Sequence, residues 1–139
     1  MSKKLRRLLR IREVAKTQSR LVLADAMQRA AEATEKCKDL EDLAAEYSEL
    51  HRSSTLIDTD SLRRFGQFYA NLSKARHAQD LMRIDAGRNE QMARDRYQNA
   101  AIACEGLERV IKARETAHKD AENRRLERHK VPSKNKPVV

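Results

Sequence analysis

Four histidines, His51, His77, His118 and His129, and two cysteines, Cys37 and Cys104, are the side chains of this sequence most able to hold a metal or attack a substrate. Their spacing does not serve either purpose. A metal site on a helix needs ligands three or four residues apart on one face, and no His has a His or Cys at those distances. The cysteines stand alone without CxxC spacing, so they read as small reduced helix residues, neither metal ligands nor a disulfide pair. No GxxxxGK[ST] or GxGxxG loop exists to cradle a nucleotide phosphate. Acid–base catalysis by carboxylates requires a water-excluding pocket that shifts their pKa values, which the elements below do not offer. The sequence therefore predicts no enzyme, no cofactor and no metal.

The elements follow from composition. The 139 residues are 37 % charged and 4 % aromatic, with three Gly, two Pro and no Trp, whereas Ala, Leu, Arg, Glu, Lys and Gln are abundant. This is the make-up of long helices with too little apolar surface for a thick core. The cluster Ser53, Ser54, Thr55, Asp58, Thr59, Asp60 and Ser61 supplies the one turn, with Thr59 or Asp60 as cap. The expected fold is all-α, a long two-helix antiparallel coiled-coil hairpin with unequal helices. It forms one domain over residues 1–128, with helices over about 3–52 and 61–128 joined by a turn over 53–60. Val131-Pro132 should end the second helix, leaving 129–139 as a disordered basic tail.

The second helix carries the clearest period, a 3-4 spacing from Phe65, Phe68, Leu72, Ala75 and Gln79 through Met82, Ala86, Asn89, Ala93, Arg96, Ala100, Ala103, Leu107 and Val110 to Arg114, Ala117 and Ala121. Thirteen of these seventeen are apolar, roughly twice what composition alone gives, which favours a helix–helix seam. The first helix gives a weaker row of Leu5, Leu8, Ile11 or Arg12, Ala15, Val22, Ala26, Ala33, Leu40, Leu43, Tyr47 and Leu50. A turn near residue 56 puts Cys37 opposite about residue 78 and Cys104 opposite about residue 11, and leaves the end of the second helix unpaired. Gln79, Asn89, Arg96 and Arg114 fall in the predicted seam, where polar residues set register, and Arg114 also lies where a partner contact is expected.

Charge and aromatic residues are unevenly placed. Residues 1–20 hold eight Lys or Arg and one acid, residues 21–60 hold ten acids and four basic residues, and the stretch from Arg109 holds ten basic and four acidic residues. Four of the five aromatic residues, Tyr47, Phe65, Phe68 and Tyr69, flank the turn. A two-helix seam cannot bury four rings fully, so they either lock the turn or form a patch for another protein. No apolar run is long enough to span a bilayer, and no leader pattern follows the basic start, which points to the cytoplasm.

The opening KLRRLLRIREVAK, with Leu5, Leu8, Leu9, Ile11, Arg12 and Glu13, resembles the start of the FliJ family, coiled-coil proteins of bacterial flagellar type III export. LEDLAAEYSEL resembles the end of that family's first helix, and FGQFYANLSKARHAQ the start of its second. The likeness covers residues 4–128 in helix plan and turn position. It departs at AENRRLERHK, where the family often carries a DE pair.

The resemblance implies a non-enzymatic stalk and adaptor that inserts into a FliI-like hexameric export ATPase. It also implies contact with an FlhA-like export gate protein and possible contact with export chaperones, at the inner membrane of the flagellar base. Carried onto this sequence, the gate contact falls on Leu43, Leu50, Phe68, Leu72, Ala75 and Gln79, and the ATPase contact on Arg6, Arg7, Arg10 and Arg114. A virulence-secretion stalk, a basic helical nucleic-acid binder and a structural coiled coil that dimerises into a four-helix bundle are the alternatives.

Overall fold

A computed structural model describes residues 2–53 and 58–134, with side chains described as far as His129. Two helices, α1 (Lys3–Ser53) and α2 (Thr59–Lys134), pack against each other as an all-α hairpin, with no strand among the described residues. Within this hairpin the chain divides into two compact units. Unit 1 pairs residues 1–18 with 97–139, and unit 2 comprises residues 19–96.

Asp58 starts α2. Its carboxylate accepts the Ser61 backbone N–H at 2.6 Å, and its carbonyl accepts the Leu62 N–H at 3.1 Å. These bonds satisfy N–H groups that a helix start leaves without partners. The cap is therefore Asp58, one residue before the expected Thr59 and two before the expected Asp60. Asp60 instead lies in the first turn, where its charge suits the helix dipole. Ser54 to Ile57, the middle of the expected turn, lie outside the described residues. At its other end α2 continues to Lys134, past the expected stop before Pro132, so part of the expected tail is helical. The remainder, 135–139, lies outside the described residues.

The covered side chains of α1 recur with an unbroken 4-3 spacing. In unit 1 these are Leu5, Leu9, Arg12 and Lys16. In unit 2 they are Ser19, Leu23, Ala26, Ala30, Ala33, Cys37, Leu40, Ala44, Tyr47 and His51. The matching row of α2 is clearest from Ala86 onward, through Glu90, Ala93, Tyr97, Ala100, Cys104, Leu107 and Ile111 to Glu115. A spacing that averages 3.5 residues keeps one stripe of a helix against its partner.

The heptad and the pairing of heights agree with the sequence expectation, but the rotational phase does not. Val110 is 44 % exposed where Ile111 is 8 %, and Asn89, Arg96 and Arg114 face solvent beside the covered Glu90, Tyr97 and Glu115. On α1 the expected Leu8, Val22, Leu43 and Leu50 are exposed, and Leu9, Leu23, Ala44 and His51 take their places, while of Ile11 or Arg12 it is Arg12 that is covered. The observed rotation partly covers Tyr97, buries Ile111 and releases Arg96 and Arg114 to water. On α2 this places more apolar area in the seam and keeps the guanidinium groups of Arg96 and Arg114 out of it.

The core is thin, as two helices permit. Leu23, Ala44, Leu72 and Ala93 are buried in unit 2, and Cys104, Leu107 and Ile111 in unit 1. Among the described residues no polar or charged side chain is fully buried. Gly87 and Gly106 have ordinary negative φ, and a Cβ added at either would meet nothing within 4 Å. Each thus weakens its helix by about 1 kcal/mol relative to Ala without serving a close approach.

Candidate protein-binding surface

In unit 2 the seam row of α1 ends in two rings, Tyr47 and His51, one helical turn apart and facing the first turns of α2. Tyr47 stacks on Phe65, with ring centroids 5.3 Å apart and planes 15° apart, and on Phe68 at 4.1 Å and 25°. His51 stacks on Phe65 at 3.9 Å and 15°, and Tyr69 extends the stack at 6.0 Å from Phe65. Such ring pairs contribute about 0.5–1.5 kcal/mol beyond their area, so the cluster joins the helices firmly next to Asp58. It does not consume its own surface, because Phe68 and Tyr69 remain 36 % and 42 % exposed. His51 adds a fifth ring to the four aromatic residues that flank the turn. Its signal is the four-residue spacing from Tyr47, which places both on one face.

The residues assigned to the export gate fall into two kinds. Leu43, Leu50, Phe68 and Ala75 are exposed, and Leu50 is 66 % open to solvent. Leu72 is buried and Gln79 is partly covered, so both belong to the seam beneath that surface. A partner would touch the first four directly, whereas Leu72 supports them from below.

On the opposite side unit 2 is polar. Cys37 and Glu41 of α1 share a shallow cavity with Ser73, Arg76, His77 and Asp80 of α2. The expected height of Cys37, near residue 78, is met there. Asp80 accepts two bonds from Arg83, the shorter 2.7 Å, and this pairing raises the guanidinium pKa further. No group of three or more His, Cys, Asp or Glu among the described residues could hold a metal ion.

Unit 1 carries the basic residues assigned to the ATPase. Arg7, Arg10 and Arg114 are exposed, while Arg6 reaches Glu115 across the helices at 3.0 Å. Both partners of that pair are wet, so it contributes about 1 kcal/mol or less. Arg12 bridges the helices from a less exposed position: its Nη1 donates to the Ala103 carbonyl at 3.2 Å. Beyond Glu115 every side chain from Thr116 to His129 is exposed, including Leu126, as an unpaired helix end requires. By sequence, unit 1 holds 17 basic and 7 acidic residues and unit 2 holds 13 and 14, so unit 1 accounts for the whole net positive charge.

No family model matches the chain, and neither a curated protein nor a solved structure does. Among the described residues no helix is long and apolar enough to cross a membrane.

Proposed function

We propose that the chain is a non-enzymatic stalk and adaptor of a flagellar type III export apparatus, binding a hexameric export ATPase and an export gate and promoting protein export. It works in the cytoplasm, peripheral to the inner membrane at the flagellar base. The observation that carries this reading is the unlike chemistry of the two units. Unit 2 presents Phe68, Tyr69, Leu43 and Leu50 around a stacked ring cluster, the kind of partly exposed aromatic surface that another protein covers. Unit 1 presents the exposed guanidinium groups of Arg7, Arg10 and Arg114 and, among the described residues, a helical stretch from Thr116 to His129 with every side chain exposed, suited to an acidic protein lining. The stretches that resemble the FliJ family supply the identity of the partners.

Adding the purified chain to the hexameric ATPase is expected to raise ATP turnover, and replacing Arg7, Arg10 and Arg114 with Glu is expected to abolish that rise. A ring that neither binds the chain nor speeds up in its presence overturns the proposal. For the gate contact, Leu50→Ala with Phe68→Ala should weaken binding to the cytoplasmic part of the gate protein by roughly tenfold or more while circular dichroism stays unchanged. Leu72→Ala is unsuited to this test, because removing a buried Leu costs about 2–5 kcal/mol of packing by itself.

A further inference from the structure

In unit 1 the covered row of α1, Leu5, Leu9, Arg12 and Lys16, defines the face of the helix that points away from α2. At about 100° per residue that outer face holds Lys3, Lys4, Arg7, Arg10, Ile11 and Val14, all of them exposed. Ile11 is 65 % and Val14 57 % open to solvent. Single apolar residues on a surface are ordinary, but these two are framed by four cations. Ile102 on α2 makes the contrast. It is just as open, at 66 %, yet its neighbours one turn away along the helix are Gln98, Asn99, Glu105 and Gly106.

The charge of the outer face has one sign. Residues 3–12 include six Lys or Arg and no acid. Arg6 turns to Glu115 and Arg12 to the Ala103 carbonyl, which leaves Lys3, Lys4, Arg7 and Arg10 facing outward. Glu13 is the one acid of α1 at the border, and the acids of α2 lie beyond the seam.

We propose that this face binds an anionic bilayer surface, with α1 lying in the headgroup layer. Ile11 and Val14 point toward the acyl chains, and the long stems of Lys3, Lys4, Arg7 and Arg10 carry their charges back to the lipid phosphates. No helix among the described residues can cross a membrane, and a basic helix with apolar residues on the same face suits the plane of the interface instead. Duplex DNA offers phosphates but no apolar layer for Ile11 and Val14, and residues 3–18 hold no aromatic ring to stack on bases. A protein would need a hollow for each of two side chains on a convex helix, whereas lipid adapts to them. Arg7 and Arg10 are also proposed ATPase contacts, so lipid and ATPase exclude one another there; the bilayer contact does not rest on that reading.

Flotation of the full chain with lipid vesicles tests this. At about 150 mM salt the chain is expected to rise with phosphatidylcholine vesicles containing about 30 mol% phosphatidylglycerol, and to partition at least tenfold less into phosphatidylcholine alone. Each outward cation contributes about fivefold, so Arg7→Gln with Arg10→Gln should lower partitioning roughly 25-fold. Ile11→Ser with Val14→Ser should lower it about tenfold and Ile102→Ser not at all, with circular dichroism the same for every variant. A wild-type chain that stays below the anionic vesicles overturns the proposal. Full binding by the Ile11 and Val14 variant also overturns it, because the attraction is then that of any basic unit. So does an equal loss with Ile102→Ser, or duplex DNA held more tightly than the anionic vesicles at the same salt. A chain that floats as expected but leaves ATP turnover unchanged supports this face and removes only the stalk reading.

Discussion

Asp58 shows how much of the local structure one side chain decides. Its bonds to Ser61 hold the carboxyl below its usual pKa of 3.8, because both favour the charged form. A depressed carboxylate pKa stabilises the fold fully above the unfolded value, and the contribution fades as pH falls through the lower folded value. Asp58→Ala should therefore lower the thermal midpoint at pH 7, and the gap from wild type should narrow steadily below about pH 4. Thermal melts at both pH values check this, and a gap independent of pH would mean that the cap bond is not the cause. The choice among Asp58, Thr59 and Asp60 was not legible in the sequence. All three types cap helices, and only the path of the chain before α2 selects one.

At the scale of the element, the helices, the all-α class and the heights at which they pair could be read from the sequence, whereas the rotation of each helix could not. The reason lies in adjacent apolar residues. Leu8 precedes Leu9, Leu21 and Val22 precede Leu23, Leu43 precedes Ala44, and Val110 precedes Ile111. Each group fits a heptad in two phases, so the period is strong and the phase is degenerate. The decision falls to the facing helix and to polar residues such as Arg96 and Arg114, which gain by turning outward. Paired substitutions read the phase directly. Ile111→Ala should destabilise by about 2–3 kcal/mol, and Val110→Ala, at the neighbouring exposed position, by less than about 0.5 kcal/mol. Urea titrations that returned the opposite order would restore the phase expected from sequence. Four of the five rings of the cluster were legible as a patch near the turn, and the 4.1 Å stack of Tyr47 on Phe68 explains why it serves both packing and surface.

For the molecule as a whole, composition gave a net charge of +9, and the fold assigns that excess to one of its two units. Concentrated positive charge also attracts nucleic acid, which is why a basic helical binder remains the competing reading. The two predict different salt responses. A chain that uses unit 1 on a shaped protein surface should bind double-stranded DNA only weakly, with affinity falling about tenfold or more between 50 and 150 mM salt. Sub-micromolar DNA binding that persists at 150 mM salt would favour the competing reading.

The two thiols equip the protein to report its own breathing. Cys104, at 1 % exposure, can meet an alkylating reagent only when the helices of unit 1 part, whereas Cys37 in unit 2 is partly accessible in the closed state. Where reclosing outruns the reagent, the rate at Cys104 divided by that of an open thiol gives the opening equilibrium directly. Followed before and after the ATPase is added, that ratio would register how far a bound partner restrains the helix pair, without any introduced label.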